Sequence, residues 1–340
     1  MENIKDLTIK DLEGYCSNKS WPKYRAKQIF KWIYRGIKSI DEMSDIPIDY
    51  RQILKSDFYI GKLIIEKRLE SKIDGTKKYL LKLNDGNLIE GVLMKYSFGV
   101  SACLSTQVGC NMGCIFCAST IGGKVRNLTA GEMVDEVITM QNDIKDRISN
   151  IVLMGIGEPL DNYDNVVKFL NIINSDDGLN IGMRHITLST CGLVPGIERL
   201  AKEDLQITLA ISLHASDDAT RRSIMPIANK YSIEEIINAC RSYIEKTSRR
   251  ITFEYALIEG VNDRPKDAER LSKLLRGMLC HVNLIPINEI EERKYKKPEL
   301  GKLNEFKGTL ESRGIETTIR REMGSDINAA CGQLRKKNVK

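Results

Sequence analysis

The chain has 340 residues, 42% of them hydrophobic and 29% charged, enough apolar sequence for a sizeable core spread over two or three structural units. With 52 Lys and Arg against 46 Asp and Glu the formal net charge is +6, a mild excess that permits a nucleic-acid partner without requiring one. No apolar run of about 18 residues exists, and the start MENIKDLTIKDLEGY lacks the charged-then-apolar plan of a secretory signal, so the expectation is a cytoplasmic protein with no membrane contact.

Residues 1–57 read as a helical unit. In YRAKQIFKWIYRGI the residues Ile29, Phe30, Trp32, Ile33 and Ile37 fall near one face, ringed by Lys23, Arg25, Lys27, Lys31, Arg35 and Lys38. Such a cationic exterior is either an ordinary solvated face or an RNA-contacting surface. From 58 to 98 the pattern turns to short β-rich runs, KKYLLKL and LIEGVLMKY, with hairpin-turn signals at Asp74-Gly75 and Asp85-Gly86.

From 99 to 322 a βα alternation predicts an α/β fold. Strand-like runs occur at SACLST, NIVLMG, HITLST, ITLAISLH, ITFEYALI and HVNLIPI, each followed by a helical stretch. Capping boxes, Thr129 with Glu132 and Ser232 with Glu235, announce two helices. The second carries Ile233, Ile236, Ile237, Cys240 and Ile244 on one side, which makes Cys240 a core residue. Six βα units are too few for the closed eight-stranded barrel and predict an open, partial (β/α)6 one, whose chemistry gathers at the carboxyl ends of the strands. A C-terminal segment, 323–340, completes the chain and ends in the basic tail RKKNVK.

The nine cysteines, at 16, 103, 110, 114, 117, 191, 240, 280 and 331, are odd in number and irregularly spaced, which argues against a disulfide framework. Three of them crowd QVGCNMGCIFCAST, on the loop after the first barrel strand. Cys110, Cys114 and Cys117 are soft ligands suited to zinc or an iron–sulfur cluster. A closed zinc site needs a fourth ligand, and the histidines lie far off in sequence, at 185, 214 and 281. Three thiolates on a four-iron cluster leave one iron open to a substrate.

Downstream, MGIGEPL follows the second strand. Gly155 and Gly157 would let backbone approach a ligand, and Glu158 offers a carboxylate to an ammonium group, although a Gly-Glu-Pro by itself is also an ordinary turn. The cysteine spacing, with an aromatic Phe116 before the third cysteine, and the Gly-Glu-Pro after the next strand resemble the radical S-adenosylmethionine (SAM) superfamily. That resemblance implies a radical SAM barrel, one 4Fe-4S cluster, and reductive cleavage of SAM to a 5′-deoxyadenosyl radical.

Cys103 in SACLSTQVGC and Cys331 in GSDINAACGQL, each alone readable as a buried small hydrophobe, narrow the resemblance. With RNLTAGEM, GIGEPLDN, ITLSTCGLVPGI, LAISLHA and NLIPIN in order over essentially the whole chain, the sequence resembles the RlmN and Cfr family of radical RNA methyltransferases. The N-terminal RAKQIFKWIYRGI and the run STIGGKVRNLTAGEM look more like the RlmN branch, which implies methylation of carbon 2 of adenosine in 23S rRNA and in tRNA beside the anticodon. The Cfr branch, acting on carbon 8, is the alternative. A non-catalytic iron–sulfur RNA-binding protein is another, although it gives no reason for Cys103, Cys331 or the Gly-Glu-Pro turn.

The resemblance further implies roles residue by residue. Cys331 accepts a methyl group from one of two SAM molecules used per turnover and becomes linked to the base. Glu90, which on sequence alone is an ordinary solvated glutamate, accepts a proton from the attacked carbon. Cys103 resolves the adduct through a transient Cys103–Cys331 disulfide. SAM contacts are implied at Gly157, Glu158, Ser189, Ser212, Leu213, His214 and Asn288, and an electron donor such as flavodoxin as partner. His185, His281, Cys16, Cys191 and Cys280 read as structural, and EERKYKKPELGK after Asn288 as either a phosphate contact or a solvated loop.

Overall fold

A computed structural model describes residues 1–288, 290 and 294–335. The first three residues of the basic run after Asn288, 291–293, and the tail from 336 lie outside the described residues.

The amino-terminal unit comprises β1 (Glu2–Asn3), α1 (Ile9–Asn18), α2 (Tyr24–Tyr34), α3 (Ile48–Asp57) and β2 (Phe58–Tyr59), the last pairing parallel with β1. Helix α1 starts at a capping box in which Thr8 and Asp11 answer each other's backbone N–H. Helix α2 buries Ala26, Ile29, Phe30 and Ile33, the face its periodicity marks. Much of its cationic side is answered within the chain. Lys27 and Lys31 reach Asp177 at 3.0 and 3.3 Å, and Lys23 reaches Glu13 at 3.1 Å. At such exposed sites these pairs add little stability.

Strands β3 (Ile64–Glu70), β4 (Lys77–Lys82), β5 (Leu88–Tyr96) and β6 (Gly99–Cys103) follow as an antiparallel meander. Its first two turns contain Gly75 at φ +73° and Gly86 at φ +83°, as the Asp-Gly signals predict. The short β7 (Gln107–Val108) and β8 (Arg126–Asn127) pair antiparallel and clasp the base of the cysteine loop. The alternation then runs α4 (Ala130–Ile144), β9 (Ile148–Leu153), α5 (Tyr163–Asn174), β10 (Ile186–Thr190), α6 (Val194–Leu200), β11 (Thr208–Ser212), α7 (Asp218–Ile224), α8 (Ile233–Thr247), β12 (Ile251–Leu257), α9 (Pro265–Leu274), β13 (Cys280–Pro286), α10 (Leu300–Glu311) and β14 (Thr317–Ile319). Both predicted capping boxes open their helices, α4 and α8, and Cys240 is fully buried in the core.

All of β3 to β6 and β9 to β14 form one ten-stranded sheet in the order β14-β13-β12-β11-β10-β9-β6-β5-β4-β3. Strands β6 and β9 to β14 are parallel, and β14 and β3 are its open edges, so the barrel is partial. Two features differ from the sequence reading. A seventh parallel strand, β14, is added after α10. It has three residues, too few for a period-2 pattern. The β-rich region is also no separate connector, because β5 pairs with β6 and continues the barrel sheet.

Two seams hold the ends of the chain to the barrel. At one, the buried Lys5 pairs with the buried Asp135 of α4 and donates to the Gly61 carbonyl at 2.8 Å, while Asp6 accepts the Gly131 N–H at 2.6 Å. At the other, Asp74 accepts the Gly324 N–H and Asp326 the Lys72 N–H, both at 2.9 Å, and Lys78 donates to the Asn328 carbonyl at 2.8 Å. The Gly332 carbonyl accepts the Ala118 N–H at 2.7 Å. The C-terminal segment is thereby fixed against both the β3–β4 hairpin and the cysteine loop.

Candidate active site

The carboxyl ends of the parallel strands open into a cleft bordered by Met154, Ser189, Ser212 and Ala256, the place where such folds hold their ligands. Cys110, Cys114 and Cys117 line one side of it, and Cys331 faces it from the C-terminal segment. Burial pushes the Cys110 thiol up to about 12, and Cys114 well above its usual value, with Cys117 and Cys110 adding repulsion. Three neighbouring thiols of this kind ionise together only against a bound cationic group, which iron supplies. Among the described residues no three His, Cys, Asp or Glu side chains converge on a single metal-ion position. A closed structural zinc site takes four protein ligands, whereas three thiolates suit a cluster in which each meets a different iron and one iron stays open.

Glu158 is rigidly held. Its Oε1 accepts the Leu160 N–H at 3.0 Å and its Oε2 the Cys191 N–H at 2.8 Å, while its own N–H donates to Gln107 Oε1 at 2.9 Å. Burial nonetheless raises its pKa, so a cationic group entering the cleft beside it would be favoured. The two glycines before it, Gly155 and Gly157, line the cleft and have a packing role as well. A Cβ on Gly155 would lie 2.5 Å from the Leu104 carbonyl oxygen, and one on Gly157, at φ +112°, 2.7 Å from Gln107 Cβ. They let this loop lie against residues 104–107. Gly155→Ala is therefore expected to cost about 1–3 kcal/mol of stability by overpacking against backbone, measured by denaturant unfolding; an unchanged midpoint would show that the loop yields freely.

Ser189 at the end of β10 and Ser212 at the end of β11 bring their hydroxyls to 3.3 Å from each other at the cleft. His214 lines it too, with a backbone φ of +57°. Its Nδ1 accepts the Ala256 N–H at 2.9 Å, and its ring meets Phe116 edge-on at 5.1 Å. Burial above all, with Arg221 nearby, lowers its pKa to about 3. The unfolded chain thus takes up a proton below pH 6.5 that the folded chain refuses, and stability rises with pH across that window. Urea unfolding is expected to show a loss approaching about 1.4 kcal/mol per pH unit on acidification below that point from this group, and a flatter profile in His214→Gln.

Leu213 and Glu90 are not drawn into the cleft. The Leu213 side chain is fully buried in the core, its N–H donating to the Glu254 carbonyl at 3.1 Å and its own carbonyl accepting from Arg221 Nε at 3.1 Å. Glu90, buried on β5, pairs with Lys78 at 3.0 Å and accepts the Arg335 N–H at 2.8 Å. It faces a separate cavity bordered by Lys67 and Asn328. Its strand face continues through Val92, which lies opposite Cys103, so the glutamate stands one cavity away from the two thiols.

Cys103 and Cys331 line a second, smaller cavity together, and Cys331 also faces the cleft of the triad. Both are free thiols. Cys103 is pushed up to about 12 by burial and then by Cys331, with Arg320 pulling the other way. Asn288, expected at SAM, donates its Nδ2 to the Cys331 carbonyl at 2.9 Å and borders both cavities.

Three residues here escape a sequence reading. Arg320, just past β14, borders both cavities with one guanidinium nitrogen 3.9 Å from Glu254, and Cys331 above all raises its pKa. Glu254 is buried at the cleft and accepts from Asn283 Nδ2 at 2.9 Å. A carboxylate inside the apolar run ITFEYALI is the signal that would have found it. The third, Arg221, is wholly buried and donates to the carbonyls of Cys191 at 2.6 Å and Leu213 at 3.1 Å, bracing two strand ends under the cleft.

Residues 104–271 match the model of the Radical SAM superfamily, and residues 2–60 that of the Ribosomal RNA large subunit methyltransferase N-terminal domain. A protein of Alkaliphilus oremlandii (strain OhILAs) described as a probable dual-specificity RNA methyltransferase RlmN is 60% identical over 337 residues, covering 99% of this chain and 98% of its own. One of Clostridium novyi (strain NT) with the same description is 57% identical, covering 100% of this chain and 99% of its own. The crystal structure of a radical SAM methyltransferase from Sphaerobacter thermophilus superposes with a TM-score of 0.92 and 44% identity, over 98% of this chain and 99% of that one.

Proposed function

This chain belongs to the RlmN family of the radical SAM superfamily, and from that premise we propose that it is an RNA methyltransferase acting on carbon 2 of adenosine in 23S rRNA and in tRNA beside the anticodon. The observation that carries this reading is the position of Cys331, which borders at once the cleft of the cysteine triad and the cavity of Cys103.

Cys110, Cys114 and Cys117 would hold the 4Fe-4S cluster. When bound, the cluster supplies the electron that cleaves SAM, giving the radical chemistry that an electrophilic ring carbon requires. Glu158, Ser189, Ser212 and His214 offer one carboxylate, two hydroxyls and a neutral imidazole to the SAM molecule beside it. Cys331 would carry the methyl group from the cleft to the base. Cys103 Sγ would then attack Cys331 Sγ, the electron pair of the broken sulfur–carbon bond passing to the RNA-borne carbon, which takes up a proton to become the methyl group, and leaving a disulfide for a cellular thiol to reduce. The buried Cys103 thiol must lose its proton first, and Arg320 stabilises the thiolate. Glu90 as proton acceptor from carbon 2 needs the base to reach toward β5, on the Lys78 side.

Residues 1–57 read as the RNA-contacting accessory unit, 58–98 as strands that extend the barrel sheet, 99–322 as the barrel and 323–340 as the carrier segment. No described helix is long and apolar enough to cross a membrane. A cytoplasmic location would supply both the reducing thiols and a donor such as flavodoxin.

The test is anaerobic reconstitution with iron and sulfide, then reaction with SAM, reductant and a 23S rRNA fragment, with mass spectrometry locating the methyl group. Methyl on carbon 2 is expected. Methyl on carbon 8 would assign the Cfr-type activity, and cofactor cleavage without RNA methylation would remove the RNA substrate.

A further inference from the structure

The hairpin between β5 and β6 turns in two residues, Ser97 and Phe98, between the paired Tyr96 and Gly99. Such turns favour Gly, Asn and Asp, and nothing in the turn itself calls for a phenyl ring. Phe98 is nevertheless 67% exposed, the most exposed phenylalanine of the described chain. Its ring stacks on Tyr96 with centroids 4.8 Å apart and planes 7° apart. Tyr96 in turn borders the Cys103–Cys331 cavity, together with Arg320 and Arg321. A single exposed apolar residue is common and needs no explanation. A parallel aromatic pair that leads from the solvent to the wall of a reactive cavity, beside two arginines, does.

Resting on the RNA-methyltransferase reading above, we propose that Phe98 is a stacking platform for an unpaired RNA base adjacent to the adenine that enters the Cys103–Cys331 cavity. A base whose carbon is to react must leave its own stack. Its neighbour then loses a stacking partner, and an aromatic face at the cavity rim replaces it without regard to base identity. Exposed Arg321 supplies positive charge for the phosphates that join the two nucleotides. The parallel geometry selects a flat π-surface as occupant.

The test uses the cluster-loaded full chain and a hairpin RNA from the 23S rRNA target, with 2-aminopurine placed in turn on either side of the target adenosine. Binding to the wild type should quench the fluorescence at one of the two positions. Phe98→Ala and Phe98→Leu should abolish that quenching and raise Kd by about tenfold, the effect of losing one base–aromatic stack, and Phe98→Trp should preserve both. Because Phe98 lies in an exposed turn, Leu keeps the apolar bulk while removing only the π-face. Binding by Phe98→Leu as tight as wild type would overturn the platform and leave the RNA reading intact, as would unchanged RNA binding with impaired reduction by the electron donor, which would assign Phe98 to a protein contact. Absence of RNA binding by the wild type, with a sound cluster, would overturn both.

Discussion

Cys331→Ala is expected to abolish RNA methylation while leaving iron content intact, and Cys103→Ala to leave RNA covalently attached to the protein. The difference follows from position. Cys331 borders both cavities, whereas Cys103 borders only the one they share. Only the first can pass from cofactor to base, and only the second stands behind it to cut the link. Cys331→Ala leaves the backbone bonds of its segment in place, because the carbonyls of Cys331 and Gly332 still receive Asn288 and the Ala118 N–H. Anaerobic turnover followed by denaturing electrophoresis and mass spectrometry reads both outcomes. Methylation surviving in Cys331→Ala would end the carrier mechanism, and free methylated RNA from Cys103→Ala would give the resolving role to another group.

Arg221→Met is expected to destabilise the protein by about 3 kcal/mol. The arginine is wholly buried, and burial lowers its pKa, so removing the charge returns part of a desolvation cost. The loss is larger. Its nitrogens reach the Cys191 and Leu213 carbonyls at 2.6 and 3.1 Å, with longer contacts to Tyr231 and Ser212 at 3.4 and 3.5 Å, and a buried carbonyl left without its donor costs about 1–3 kcal/mol. The same residues carry the site, since the Cys191 N–H holds Glu158 and Ser212 faces the cleft. Unfolding midpoints and SAM affinity should therefore fall together. A variant as stable as wild type would mean that the carbonyls find other partners.

The N-terminal helices, the turns at Gly75 and Gly86 and the caps at Thr129 and Ser232 were legible because each rests on neighbours in sequence: helical period, turn chemistry and a hydroxyl three residues from a carboxylate. The triad was legible for the same reason, three thiols within eight residues, and the fold brings all three to the cleft. Cys103 and Cys331 were reached through family resemblance, since two cysteines 228 positions apart carry no local signal. Strand β14 was missed because three residues hold no period, and with it Arg320, whose place depends on where that strand ends.

The sequence by itself determined the βα alternation, the helical amino-terminal unit and the cysteine triad, all of which are encoded over one or two turns of chain. Only the tertiary structure decided that the β-rich segment extends the barrel sheet, that Gly155 and Gly157 serve loop packing, and that Leu213 turns into the core while Glu90 faces a neighbouring cavity. It also decided that Asn288 grips the Cys331 carbonyl. These depend on which backbone donors and acceptors meet across long loops, and their partners are set by the closing of the sheet and the seams at either end of the chain, where sequence spacing carries no distance information.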